Sequence, residues 1–161
     1  MPRSREEQQA RLMALPIAVL IAVLTMNVSD PDARLRDVIE DMDFIIEVKQ
    51  AYPDNALIQG IFEDTEISLS ILRLSSAPDK ERVLRELRLY IEQTSALLGI
   101  DNEAREFRAF LVALVKKLAQ DVGNGMFGDD PIRVKAQSEY LRLLEQQFSL
   151  VPSNPIDSTI L

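Results

Sequence analysis

The most informative segment of the chain is Leu12 to Ser29, which reads LMALPIAVLIAVLTMNVS. Its eighteen residues carry no charge, and most of them are Leu, Ile, Val, Ala or Met. An apolar run of this length lies near the lower limit for a helix that crosses a membrane. A helix that is buried on all sides in the core of a bundle has the same composition.

The flanks of this run bear on three interpretations: a membrane span, a signal peptide and a core helix. Three arginines precede the run, as in the positive leader of a signal peptide, but two glutamates stand among them. No small-x-small cleavage motif closes the run, and Pro16, Thr25 and Asn27 interrupt it. We therefore predict a core helix, with Pro16 either kinking one helix or separating two helices.

The rest of the chain has the composition of a helical protein. It has 161 residues, of which only 5 are glycine, and Leu, Ile, Glu, Arg and Ala dominate. Strand signals are nearly absent, and the connections between helical segments are short. We predict an all-α fold, a single compact bundle of about six to seven helices, with one domain over residues 1–150 and a flexible tail over 151–161.

Capping residues place the helices that follow the apolar run. Ser29, Asp30 and Pro31 predict the start of a helix that extends to about residue 51. A turn then leads into a predicted helix over residues 56–74. Asp79, Asp101 and the pair Asp130 and Pro131 predict the starts of three further helices.

Two residue types are missing, and their absence excludes most site chemistry. The chain contains no histidine and no cysteine. Disulfides, thiol nucleophiles, Ser-His-Asp triads and the usual zinc sites are therefore impossible. The remaining routes to catalysis use carboxylates, Lys, Tyr or Ser, or carboxylates that hold Mg²⁺ or Ca²⁺.

The negative charge of the chain is concentrated in one segment. Residues 30–66 contain eleven acidic and three basic side chains, which equals the formal net charge of −8 for the whole chain. Nucleic-acid binding requires a basic footprint, so we expect no nucleic-acid partner. A basic protein is the partner that this segment favours.

The predicted helix over 31–51 carries an acidic face opposite an apolar side that includes Ile45 and Ile46. The acidic face consists of Asp37, Glu40, Asp43 and Glu47, and Phe44 falls among them. One interpretation is a solvated outer face, with Phe44 reaching sideways to a neighbouring helix. The other is an interaction surface, in which an exposed aromatic anchor is ringed by carboxylates.

Asp64 is a candidate buried carboxylate, since it falls on or beside the apolar side of the predicted helix over 56–74. A buried carboxylate has to be hydrogen-bonded, paired or protonated. It is either satisfied by structural contacts or part of a cation or acid–base site completed by acids of the preceding helix. The second possibility describes a divalent-cation-binding protein or a magnesium-dependent carboxylate phosphohydrolase.

The C-terminal half resembles a known bacterial family. The segment Phe107–Leu111, then Val115, Ala119 and the loop Gly125–Gly128, is similar to the pattern of the tellurite-resistance TerB-like proteins. That resemblance implies a cytoplasmic bacterial helical module, linked to stress responses and membrane-associated assemblies, without established catalysis. It extends over about residues 12–148.

The chain departs from that family at the turn after the apolar helix. The family often has an Ala-Asp-Gly turn there, whereas this chain has Met26 or Asn27 at the aspartate position and no glycine after it. Cation binding of the family's kind is therefore not supported at this turn, although Asp30 and Asp32 remain.

These observations favour a non-enzymatic, cytoplasmic protein-interaction module without a cofactor or a bound metal. Its predicted contact surface is the acidic face described above, Asp37, Glu40, Asp43, Phe44 and Glu47. The cation-binding protein or phosphohydrolase is the alternative.

Overall fold

The computed structural model describes residues 5–27, 35–61, 63, 79–125 and 128–150, and of Asn27 and residues 35–42 it describes the backbone only. Every regular element in these residues is a helix, which confirms the all-α prediction. The helices are α1 (Arg5–Met13), α2 (Leu15–Asn27), α3 (Leu35–Ala51), α4 (Ala56–Gln59), α5 (Lys80–Ser95), α6 (Asn102–Gly123) and α7 (Pro131–Ser149). The predicted tail over 151–161 lies outside the described residues.

Helix α2 is the centre of the molecule. Every residue from Ala14 to Thr25 is buried, and the helix packs against α1, α5, α6 and α7. The Thr25 hydroxyl, the one polar side chain in this buried run, donates a hydrogen bond of 2.7 Å to the carbonyl oxygen of Ile21. The prediction of a helix buried on all sides is confirmed.

The break between α1 and α2 falls at Ala14, two residues before Pro16. Proline is tolerated in the first turn of a helix, where its missing N–H would have no intrahelical acceptor. Pro16 is the second residue of α2, so it separates two helices rather than kinking one. Among the described helices none is by itself long and apolar enough to span a membrane; α1 and α2 meet that test only as a pair, bent by 41°.

The C-terminal half begins its helices where the capping residues predict. The carboxylates of Asp79, Asp101 and Asp130 accept hydrogen bonds from the backbone N–H groups of Arg82, Ala104 and Ile132, respectively. Pro131 is the first residue of α7. Helices α6 and α7 pack against each other extensively and bury Phe107, Leu111, Leu144 and Phe148.

The predicted helix over 56–74 begins at Ala56 as expected, but it does not continue past Gln59, where α4 ends. Gly60 caps it, and its N–H donates to the carbonyl oxygens of Ala56 and Ile58. The flexible end of the Met13 side chain lies where a Cβ on Gly60 would be, so a larger residue at this position would require Met13 to move. Ile61 continues as a turn, and residues 64–78 lie outside the described part of the chain.

Candidate functional site

Helix α3 carries the predicted interaction residues at the edge of the bundle. Among the described residues it packs mainly against α4, and one side chain, Ile45, is fully buried in the common core. Asp37 and Glu40 lie within the helix, but their side chains are not among the described atoms. Asp43 and Glu47 are exposed. The face that α3 turns away from the core therefore carries at least these two carboxylates.

Phe44 lies on the flank of α3, turned toward the bundle. It is half-buried and stacks on Phe110 of α6, with ring centroids 6.4 Å apart and an angle of 23° between the planes. Phe110 in turn contacts Phe107, at 5.9 Å between centroids. Of the two arrangements considered from the sequence, this matches the one in which Phe44 reaches a neighbouring helix. Its ring attaches α3 to the core rather than standing free.

The exposed apolar side chain on this face is Ile46, which sequence reasoning placed on the apolar side of the helix. Its exposed fraction is 48%, whereas its neighbour Ile45 has an exposed fraction of 0%. Consecutive residues on a helix point about 100° apart, so only one of the two can face the core. Ile46 lies three residues after Asp43 and directly before Glu47. The signal in the sequence was the adjacency of the two isoleucines, because two consecutive apolar residues on an amphipathic helix cannot both face the core.

The one described cation on α3, Lys49, points away from the acidic face. Its ammonium group donates to the carbonyl oxygen of Ile61 at 2.8 Å and lies 3.6 Å from the carboxylate of Glu63. Among the described residues, none forms a hydrogen bond or an ion pair with the side chain of Asp43 or Glu47. The described part of the chain therefore supplies no counterion for these two carboxylates.

The C-terminal end of α3 is held in place by amide side chains. The Gln59 amide donates to the carbonyl oxygens of Lys49 and Tyr52, the latter at 2.7 Å. Asn55 caps α4 by accepting from the N–H of Ile58, and its amide nitrogen donates to the Glu106 carboxylate at 3.0 Å. These hydrogen bonds connect the α3–α4 turn to α6 and fix the orientation of α3 relative to α6.

The alternative site is not completed by the described residues. Asp64 lies outside them, and within them no three carboxylates stand close enough together to hold a metal ion. Asp121, a carboxylate that is buried, is paired with Lys117 of the same helix at 3.2 Å. The cation-binding alternative stays a prediction, without a described group of ligands.

Arg108 is a second buried charge, and it serves the fold. One guanidinium nitrogen donates to the Leu98 carbonyl oxygen at 3.0 Å, while Nη1 is buried without a hydrogen-bond partner. Burial lowers the pKa of Arg108, and the nearby Asp101 carboxylate partly opposes that change. This hydrogen bond joins α6 to the segment that follows α5, so Arg108 links the two helices.

Surface grooves in the described residues are shallow and open. One of about 540 Å³ runs along α5 between Leu84, Arg85, Arg88 and Leu89, with Glu81 and Glu92 at its ends. Another, of about 380 Å³, lies between α5 and the end of α7. Neither encloses a cluster of converging polar groups, which is what a small-molecule site requires.

Comparisons of the chain with protein-family models, with curated proteins and with solved structures found no match. The TerB-like resemblance therefore stays a prediction.

Proposed function

We propose that this chain is a non-enzymatic helical module that binds a basic protein partner through the outer face of α3. The observation that carries the proposal is that Asp43 and Glu47 are exposed and have no ion-pair partner among the described residues, beside the exposed apolar side chain of Ile46. An exposed apolar side chain next to two carboxylates suits contact with a surface that is basic and partly apolar.

Two features of the charge distribution support a basic partner. Segment 30–66 holds the whole formal excess of acidic residues, so the local potential there is negative. The side chain of Lys49, a described cation on α3 itself, is engaged by the carbonyl oxygen of Ile61 and the carboxylate of Glu63. A positively charged surface would be steered toward α3 and would associate faster at low ionic strength.

The wider setting is proposed on the resemblance alone. A TerB-like module would act in the cytoplasm of a bacterium, within a stress-related or membrane-associated assembly. In such an assembly a small helical domain contributes a binding surface and no chemistry, in keeping with a chain that has no histidine or cysteine.

The test is affinity capture of the tagged chain from its native cells beside two variants of equal charge change. The first variant is Asp43→Lys with Glu47→Lys on α3. The control is Glu92→Lys with Glu139→Lys, which reverses two exposed acids on α5 and α7. All four residues are exposed, so both variants should fold, which circular dichroism would verify.

We expect a basic protein that co-purifies with the wild type and the control but not with the α3 variant. Raised salt should weaken its capture, because screening reduces attraction between exposed charges. A partner retained equally by both variants, or no specific partner with the wild type, would overturn the proposal.

A further inference from the structure

We infer that the outer face of α7 is a self-association surface, on which a second copy of this chain packs its own α7 in antiparallel orientation. The surface consists of Ile132, Glu139, Leu143 and Leu150, with Arg142 on its flank, and is called the α7 stripe below. It lies on a different helix from the surface of the proposed function, so the inference does not depend on that function.

The three most exposed large apolar side chains among the described residues belong to this stripe. The exposed fractions are 82% for Ile132, 62% for Leu143 and 70% for Leu150, the residue directly after α7. At about 100° per residue, Leu143 is rotated by about 20° from Ile132, and Leu150 is aligned with Ile132. They therefore form one straight line about 27 Å long, whereas exposed apolar residues that need no explanation are scattered singly.

Two opposite charges stand at the middle of the stripe. Glu139 and Arg142 are both exposed. Among the described residues no side chain forms an ion pair with either of them, whereas Glu145 on the same helix is paired with Lys116 at 3.8 Å. An acid and a base without a described partner can each meet the opposite charge on a second copy.

The stripe is self-complementary when two copies of α7 run antiparallel about a twofold axis at residue 141, midway between Ile132 and Leu150. Ile132 of each copy then lies opposite Leu150 of the other copy. Arg142 of one copy lies within about 1.5 Å, along the helix axis, of the level of Glu139 of the other. Each pairing of a twofold contact occurs twice, so two acid–base pairs flank the axis and an apolar pair closes each end.

A groove beside the C-terminal half of the stripe fits the first turns of the second helix. Its volume is about 560 Å³, and it is lined by Arg142, Glu145, Gln146, Ser149 and Leu150. In the antiparallel arrangement, residues 132–136 of the second copy lie along this groove, with the exposed Ile132 at its Leu150 end and the small Ala136 beside Gln146. The groove and the segment that fills it thus belong to the same helix, as a twofold interface requires.

The charges at the centre disfavour the other arrangements of this face. A parallel pair of helices would place Glu139 opposite Glu139, so that like charges meet. A lipid surface that covered the apolar residues would bury Glu139 without supplying a cation. A second antiparallel copy supplies Arg142. Since a single pair of helices makes a small interface, the dimer should form and dissociate readily with concentration.

Sedimentation equilibrium of the full chain, from low to high micromolar concentration, measures the dissociation constant of the dimer. Ile132→Ser and Leu143→Ser test the apolar contacts. Ile100→Ser is the matched control, because Ile100 is 53% exposed but lies between α5 and α6. Glu139→Arg and Arg142→Glu, alone and combined, test the charge pairs. Urea unfolding of each variant verifies that the fold is retained.

We expect the wild type to show a reversible monomer–dimer equilibrium. Ile132→Ser and Leu143→Ser should each weaken it at least about tenfold, because each contact is lost twice, and Ile100→Ser should leave it unchanged. Each single charge reversal should weaken the dimer about tenfold. The combined reversal should return the dissociation constant to within about threefold of the wild-type value, because it exchanges acid and base across the axis.

Three outcomes would overturn the inference: a wild type that stays monomeric, a dimer that the stripe variants do not weaken, and a combined reversal that is as weak as the single ones. A monomer whose free energy of unfolding falls with Leu143→Ser would mean that the chain covers its own stripe. The capture control contains Glu139→Lys, so it should dimerise weakly and still retain the basic partner, because α3 carries none of the stripe.

Discussion

Helices α2 and α3 follow each other in the chain and have opposite relations to solvent. Helix α2 has no charged residue and is covered on every side by α1, α5, α6 and α7. Helix α3 contributes one fully buried side chain among those described, Ile45, and leaves Asp43, Ile46 and Glu47 exposed. The difference follows from patterning, because a helix without a polar face has no orientation that is stable at a surface.

The contrast shows which described positions of the chain carry its stability and which tolerate substitution. The central helix α2 is buried at every position from Leu15 to Thr25. A polar substitution at any of these positions is therefore expected to cost stability. Helix α3, at the edge, is attached by contacts that include the stacking of Phe44 on Phe110 and the hydrogen bond from Gln59 to the carbonyl oxygen of Tyr52. Its exposed side chains can therefore be substituted at little cost in stability.

The strongest test of this comparison is a carboxylate scan of α2. Val19→Asp, Leu20→Asp and Ile21→Asp place a charge at three positions that together cover more than half of the helix circumference. Each should cost about 4 kcal/mol or more, because a buried carboxylate without a partner is strongly unfavourable. Far-ultraviolet circular dichroism and soluble yield measure the loss. The comparison is wrong if any of the three folds as well as Gln50→Asp, the control on α3.

The second test uses the neighbouring pair on α3. Ile45→Ala should lower the free energy of unfolding by about 2–4 kcal/mol, because it leaves a cavity in the core. Ile46→Ala should lower it by no more than about 0.5 kcal/mol. Urea unfolding of both variants gives the two values. Equal losses would mean that α3 is packed on both sides and has no outward face.

The third test concerns α7, where burial raises the pKa of a tyrosine. Tyr140 lies beneath the guanidinium of Arg88, 4.8 Å from the ring centroid, and burial raises its pKa to about 12 while Arg88 partly opposes that change. In the unfolded chain the pKa is about 10, so folding favours the protonated phenol. The resulting stability is complete below about pH 10 and is lost as the pH rises through about 12.

Comparison with Tyr140→Phe isolates this effect. As the pH rises between these two values, the free energy of unfolding of the wild type should fall by up to about 2 kcal/mol more than that of the variant. The reason is that phenylalanine does not titrate. Urea unfolding at stepped pH measures it, and parallel pH profiles of the two proteins would contradict the expectation.

The smallest effect is expected at the polar contact that α7 makes with α2. The amide of Gln137, a fully buried side chain, donates to the Val23 carbonyl oxygen at 2.8 Å. Gln137→Met keeps the volume but loses this bond, which should cost about 1 kcal/mol. Thermal unfolding beside Gln146→Met, an exposed control on the same helix, measures the difference. No difference between them would mean that α2 is held by apolar packing alone.

Local sequence signals were sufficient for most of the fold. The aspartates at 79, 101 and 130 begin helices because a short carboxylate satisfies the free N–H groups of a first turn, an interaction within a few residues. The helix predicted over 56–74 begins at Ala56 as expected but ends at Gln59, directly before Gly60. Glycine is a poor helix former and a local signal for a helix end. The apolar periodicity of the segment outweighed that signal in the prediction.

The candidate site was predictable to the same degree. The acidic face of α3 follows from helical spacing, and the exposed positions of Asp43 and Glu47 agree with it. The orientation of Phe44 and Ile46 does not follow, because both are apolar residues next to the boundary between the two faces. Which of them turned inward depended on Phe110 of α6.

Composition and short-range periodicity were therefore enough to predict the helical class, the burial of α2, the concentration of negative charge in segment 30–66 and the exclusion of histidine and cysteine chemistry. These properties do not depend on the neighbours of a helix. Which apolar residue of α3 remains exposed could be known from tertiary contacts alone. It depends on side chains from distant parts of the chain that compete for the same space, since a close-packed interior accepts one side chain at each position.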